Sequence, residues 1–203
     1  HILSGQIANR LIDFVRNQGS DMLALSSEGK GPIEGVMIGS VGRKAIINSP
    51  KSVLIAKGEV EPGKKLKAIF ATDHSEYCNS CVDLLAQYNP QGFSEIVILS
   101  IYPSQLVDTM MAASAHFKMN PHEIIRRELK NANSSVKDRL ASLQCSISSR
   151  VAEGPVNDVI ARVMKEEHAD LLILGAQGHG FAERMTLGSV SLRQGIMEPK
   201  SVL

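Results

Sequence analysis

Residues 170–203 read DLLILGAQGHGFAERMTLGSVSLRQGIMEPKSVL, and residues 21–54 read DMLALSSEGKGPIEGVMIGSVGRKAIINSPKSVL. The two stretches align without a gap at an offset of 149, with 15 of 34 positions identical. Chance would give roughly two matches, because a typical residue type is a few per cent of composition. Asp21, Leu23, Leu25, Gly29, Gly31, Glu34, Gly39, Ser40 and Val41 recur, then Ile47 and Pro50–Leu54. Further upstream Gly5 meets Gly154 and Ile7 meets Val156. Self-similarity at a fixed offset marks a repeated unit, and roughly 150 residues is the size of one domain. Residues 65–150 have no counterpart before His1, so the first copy is expected to begin in mid-domain and the chain to be a fragment or to omit segments of a longer one. The expected organisation is residues 1–57 as the C-terminal half of a first domain, 58–64 as a linker, and 65–203 as a second, nearly complete domain.

Composition narrows the function classes. The 203 residues are 43% hydrophobic and 21% charged, in the range of ordinary globular proteins rather than collagenous or disordered chains. Lys and Arg number 22 against 21 Asp and Glu, so no global basic field exists to hold a nucleic acid. Aromatics are only 4% and Trp is absent, which weakens base stacking on single strands. No apolar run approaches the ~18–20 residues of a membrane helix. Three cysteines do not make a disulfide framework. The expectation is a cytoplasmic protein with neither nucleic-acid nor membrane partners.

Strand-like and helical stretches alternate after the linker. Residues 65–73 (KLKAIFATD) read as a strand running into a cap at Ser75 and a helix over 76–88. Residues 95–101 (EIVILSI) are a continuous apolar run, as in a parallel strand buried on both faces. A helix is expected over 107–117. Asn120-Pro121 starts another, with Ile125, Leu129, Ala132, Val136, Leu140 and Leu143 on one face. A strand over 145–151, a helix after Gly154-Pro155, a strand over 170–175, a helix over 189–197 and a last strand from Lys200 complete the pattern. Such alternation predicts a parallel α/β sheet.

The spacing that carries chemistry is Gly175-Ala-Gln-Gly178, nine residues, then Gly188-Ser189. Glycines after a strand let backbone N–H groups close on a ligand with no Cβ in the way. Gly188-Ser189 adds a hydroxyl and free N–H groups at a helix N-terminus, which suits an anion. Asp73 ends another strand of the same sheet, and ligands of open parallel sheets bind outside the carboxyl ends of the strands. An Asp there can accept from a ribose hydroxyl while the glycine loop takes phosphates.

The motifs AIFATDHSE, EIVILSIYP, ADLLILGAQGHG, LGSV and PKSVL occur in order, and on them the second unit resembles the universal stress protein family over its whole length. The first unit resembles the second half of the same domain. The resemblance implies a Rossmann-like, open, five-stranded parallel sheet of order 3-2-1-4-5 with helices on both faces, here duplicated in tandem. It implies an adenine nucleotide as regulatory ligand (ATP, AMP or ADP), with magnesium as a companion ion. Thr72 and Asp73 would approach adenosine, the Ile101 backbone the adenine, and Gly175, Gly178, Gly188, Ser189, Val190 and Ser191 the phosphates. Gly29, Gly39 and Ser40 would mark a second site in the first copy, where Ser26 replaces Gly175. The family's last strand is commonly a dimer contact, so residues 52–56 and 201–203 are expected to pair, as an intramolecular pseudo-dimer or in a homodimer.

Two other functions fit parts of the sequence. One is a protein-interaction module of stress signalling with a vestigial pocket. The other is a thiol redox protein using Cys78-Asn-Ser-Cys81, a C-x-x-C near a helix start; packing is the better reading of these thiols, since free Cys behaves as a small hydrophobe. His74 stands alone in the sequence, no Cys/His set has metal spacing, and no catalytic residue is assigned; any ATP hydrolysis is expected to be slow. Arg126, Arg127 and Lys130 read as a solvated helix face, and His179 as an exposed loop residue.

Overall fold

The computed structural model of the chain describes residues 4–27, 38–113, 120–176 and 187–203. The described elements are, in chain order, α1 (Ile7–Asn17), β1 (Met22–Ser26), α2 (Ser40–Asn48), β2 (Ser52–Ala56), β3 (Leu66–Thr72), α3 (Glu76–Tyr88), β4 (Phe93–Tyr102), α4 (Ser104–Ala113), α5 (Pro121–Arg139), β5 (Ser146–Glu153), α6 (Val156–Glu166), β6 (Leu171–Leu174), α7 (Ser189–Met197) and β7 (Ser201–Val202). α1, β1, α2 and β2 begin 149 residues before α6, β6, α7 and β7, the offset of the sequence repeat. By contact the chain divides into two compact units, residues 1–62 with 181–203, and residues 63–180.

The larger unit is a parallel α/β sheet in which β3 lies between β4 and β6, and β4 pairs with β5 on its far side. Counted along the second sequence copy, this is the 3-2-1-4 portion of the expected order. Ile96, Val97, Ile98 and Leu99 of β4 are all at most 3% exposed, so the strand is covered on both faces. One face carries Phe70, Ile98 and Ser100 towards α3 and α5, as the Ser100–Asn133 bond shows. On the other, Lys67 and Arg150 bond to Glu167 just beyond α6. Helix starts follow local chemistry: Ser75 caps α3 by accepting from the Cys78 N–H at 3.2 Å, and Asn120 caps α5 from the His122 N–H at 3.0 Å, with Pro121 at the first helical position. The helix expected over 107–117 begins earlier, at Ser104, because Pro103 supplies the carbonyl for its first turn.

In the smaller unit β1 runs parallel to β2, and β2 runs antiparallel to β7 with Ile55 opposite Val202. The expectation of wholly parallel sheets is therefore corrected: the seven described strands are a mixed set, and neither unit by itself holds five. Val15, Leu23 and Ala45 form the unit's core, with Leu25 and Val53 against them. Lys57, only 8% exposed, follows β2. Its ammonium donates to the carbonyls of Gly195 (3.0 Å) and Glu198 (2.6 Å) at the end of α7, and burial lowers its pKa. A cation there meets the carbonyls that a helix leaves unpaired.

Candidate functional site

The carboxyl ends of β4, β3 and β6 lie side by side in the larger unit. They present Ile101, the pair Thr72 and Asp73, and Gly175. Thr72 is buried and Asp73 exposed. The backbone between β3 and α3 is fixed by its own side chains. Thr72 Oγ1 accepts from the His74 N–H at 3.0 Å, and Asp73 Oδ1 accepts from the Ser75 N–H at 3.0 Å. His74 takes a left-handed φ of 59°, uncommon for a residue with a Cβ. That turn lets the strand end at Thr72, just before Asp73, and the helix begin one residue after Ser75.

Cys78 lies beneath this turn, 2% exposed, with its thiol within hydrogen-bonding reach of the Thr72 side chain and of the Asp73 and Gly175 backbones. One side chain thus joins the ends of β3 and β6 from α3. Burial is the main influence on the thiol and pushes its pKa up; the Thr72 hydrogen bond pulls the other way. Cys81 is pushed up to about 11, by burial first and by Cys78 second. A redox or nucleophilic thiol needs the thiolate, and both groups are moved away from it.

Gly188, Ser189, Val190 and Ser191 belong to the smaller unit, where they open α7. Gly188 is its N-cap, at φ −62° and ψ 145°, and no side chain caps the helix. Gly39 and Ser40 open α2 in the same way, at φ −72° and ψ 170°. Neither φ demands glycine, and a Cβ built on Gly39 meets nothing within 4 Å. Gly178, Gly29 and His179 lie outside the described residues. The sequence-predicted residues therefore fall into a group at the strand ends of one unit (Thr72, Asp73, Ile101, Gly175) and two helix starts in the other.

Sequence reasoning missed a polar layer beside the first group. His74 Nε2 lies 2.8 Å from Ser100 Oγ, and Ser100 Oγ donates to Asn133 Oδ1 at 2.6 Å. His74, read from sequence as solitary, is bonded into β4 and α5. A signal existed: Asn133 sits in the apolar stripe of α5, four residues after Leu129. A second cluster stands at the ends of β4 and β5. Tyr102 Oη accepts from Arg126 Nε at 3.1 Å and donates to Glu153 at 3.2 Å, while His122 Nδ1 is 3.2 Å from the same Glu153 oxygen. Arg126 lies on the exposed helix face that its position suggested, and from there its side chain also reaches back to the strand. Among the described residues no three His, Cys, Asp or Glu side chains are grouped as a metal ion requires, and no helix is long and apolar enough to cross a membrane.

Comparison with known proteins places this geometry. The model of the Universal stress protein family matches residues 1–57 and 66–193. A structure assigned to the universal stress proteins of Pseudomonas aeruginosa UCBPP-PA14 is similar at a TM-score of 0.69 and 14% identity, covering 98% of this chain and 68% of that one. A functionally unknown protein of Pseudomonas aeruginosa PAO1 is similar at a TM-score of 0.66 and 13% identity, over 98% of this chain and 67% of that one. A universal stress protein of Archaeoglobus fulgidus DSM 4304 is similar at a TM-score of 0.59 and 17% identity, over 100% of this chain and 66% of that one. At such identities the likeness is one of fold. No curated protein matches the chain. With the family model covering nearly all of its length in two segments, the chain belongs to the universal stress protein family.

Proposed function

We propose that this universal stress protein binds an adenine nucleotide as a regulatory ligand through its second sequence copy. The observation that carries the reading is the grouping of Thr72, Asp73 and Gly175 around the Cys78 thiol, with Ile101 one strand along. An exposed carboxylate held by a backbone N–H and a glycine at the neighbouring strand end are what a ribose and its phosphates require. Gly178, Gly188, Ser189, Val190 and Ser191 would hold the phosphates. Support for the helix starts comes from Gly39 and Gly188. Ser, Thr, Asp or Asn is the stabilising choice at an N-cap, whereas glycine forgoes the side-chain cap and leaves the N–H groups to another acceptor. When bound, the nucleotide supplies the negative charge that these N–H groups and hydroxyls meet, with or without magnesium as its counter-ion. Among the described residues none is assigned a catalytic role, and the nucleotide acts as a ligand rather than a substrate turned over rapidly.

The proposed domain organisation keeps residues 1–57, the linker 58–64 and residues 65–203. β2 and β7 would form the intramolecular counterpart of a dimer contact, and three free cysteines suit a cytoplasmic setting. Calorimetric titration of ATP into protein stripped of endogenous ligand tests the proposal. Saturable binding at or below millimolar concentration is expected. Absence of binding would leave the interaction-module alternative as the better account.

A further inference from the structure

The polar atoms of residue 74 are held by β3, α3 and β4, and through β4 by α5. Its N–H donates to Thr72 Oγ1 of β3 (3.0 Å), and its carbonyl accepts from Asn79 Nδ2 of α3 (3.3 Å). Its imidazole meets Ser100 of β4 (2.8 Å), and Ser100 is bonded in turn to Asn133 of α5 (2.6 Å). Arg139, near the end of α5, donates to the Asn79 carbonyl at 2.9 Å and so reaches the same turn by a second route. Ser100 is 1% exposed and Asn133 0%. A polar chain buried so completely lies where hydrogen bonds are strong and their loss is expensive.

Ser100 has one hydroxyl proton for its two partners. Where that proton goes to Asn133 Oδ1, Ser100 Oγ accepts from His74 and the imidazole carries its proton on Nε2. In this polarity Asn133 Nδ2 is buried with no hydrogen-bond partner. A buried donor left unpaired is costly. The left-handed backbone at residue 74 adds a further cost. A fold that carries both is held there by its surroundings, and what the turn holds in place is the Asp73 carboxylate.

The geometry points to His74 as a positioning residue: anchored on Ser100 and Asn133, its imidazole fixes the Asp73 carboxylate and couples the nucleotide site to α5. The inference rests on the proposed function only for what Asp73 binds; the anchoring itself is independent of it. Glycine is the residue best suited to a φ of 59°. His74→Gly therefore keeps the backbone conformation and removes the anchor. Asn133→Leu keeps a side chain of similar size in the apolar stripe of α5 and cuts the chain at its far end.

The experiment reads amide hydrogen exchange and His74 ¹⁵N resonances in the full 203-residue chain, and then ATP affinity. The wild-type imidazole is expected in the Nε2–H tautomer, and Asn133→Leu should shift it towards Nδ1–H, since Ser100 is then free to donate. Exchange at the amides of residues 74 and 75 should rise about tenfold in both variants, while the Asp170 amide, bonded to the Lys67 carbonyl at the other end of β3, stays protected. ATP affinity should fall about fivefold, the weight of one hydrogen bond. If His74→Gly leaves exchange and affinity at wild-type values, the residue serves only its backbone conformation and the inference is overturned. If exchange rises as stated but the wild-type protein binds no ATP, the anchoring stands and the nucleotide reading falls.

Discussion

α2 and α7 stand at matching positions of the 149-residue sequence repeat, and of their nine residues only Ser, Val and Ile at the first, second and eighth positions are shared. Both open with Gly-Ser, both run nine residues, and both lead into a strand beginning Ser-Val. Ile46 and Gly195 are repeat counterparts, 149 residues apart, and within the smaller unit they meet each other. A Cβ built on Gly195 would lie 2.9 Å from Ile46 Cδ1. Counterparts that touch are what a two-fold relationship produces, yet two isoleucines cannot share that space and two glycines would leave it empty. The pair has settled on one large and one small residue. The elements recur at the offset of the sequence repeat, while the contact between them is asymmetric. Ser26 against Gly175 shows the same drift at the strand ends: Ser26 is exposed at the end of β1, and Gly175 is buried beside Cys78.

The largest expected effect separates the copies by function. Gly178→Val should abolish nucleotide binding with native circular dichroism, since a branched Cβ would fill the phosphate's approach. Gly29→Val, its counterpart, should leave calorimetric ATP binding as it was. Equal losses from both would mean the copies share the site.

Ser189→Ala should weaken ATP binding by about 1.5–3 kcal/mol if its hydroxyl meets a charged phosphate. Ser40→Ala should not change affinity or stoichiometry. A stoichiometry of two nucleotides per chain would instead promote Gly39 and Ser40 to a working second site.

The Ile46–Gly195 contact gives a stability cycle. Gly195→Leu should destabilise by about 1–3 kcal/mol through overpacking, and Ile46→Gly in the same chain should recover part of that loss. Gly195→Ala should be nearly neutral, because the Ile46 tip can shift and alanine is favoured in a helix by about 1 kcal/mol. Denaturant midpoints of the wild type, Gly195→Leu, Ile46→Gly, the double variant and Gly195→Ala check this; strict additivity in the cycle would deny that the residues share one space.

A smaller effect concerns the charge cluster on the face of the larger sheet that meets the end of α6. Lys67 lies 3.0 Å from Glu95 and 2.7 Å from Glu167. The Ser148 hydroxyl first and Lys67 second hold Glu95 below its ordinary 4.5, Lys67 foremost does so for Glu167, and the Lys67 pKa is raised by Glu167 first. Carboxylates with lowered folded pKa contribute stability that is complete above about pH 4.5 and is lost as pH falls through their folded values. The raised lysine contributes below 10.5 and loses its part as pH rises through its folded value. Lys67→Met should cost about 1 kcal/mol at neutral pH and flatten the acid limb of a stability–pH curve. The smallest effect is at Cys81: Cys81→Ala should leave ATP binding unchanged, and a reversible disulfide with Cys78 at a cytosolic redox potential would restore the redox reading.

Much of this was legible because it is local. A serine before an acidic residue, an Asn-Pro step and a continuous apolar run each act within a few residues, and α3, α5 and β4 form where those signals stand. The Gly-Ser starts of α2 and α7 were legible for the same reason. The polar layer was not: His74, Ser100 and Asn133 lie 26 and 33 residues apart, and only sheet register and the packing of α5 bring them together. Arg126 is exposed as its helical position suggested, but its bond to Tyr102 was not legible, because position says which side chains face water and not how far a long one reaches back. The pairing of β2 with β7 was expected from the family resemblance and is found, at Ile55 and Val202; periodicity alone assigns strands but not their partners.

Lys57 has a practical consequence. Amine-reactive reagents attack the neutral form of an accessible lysine, so exposed lysines such as Lys44 and Lys51 will be tagged quickly. Lys57, sealed against the last carbonyls of α7, can be tagged only when β2 and α7 part. Mass spectrometry of timed labelling would then read one residue as a clock for that opening, in the intact chain and without a spectroscopic probe. A bound nucleotide that steadies α7 would slow the clock.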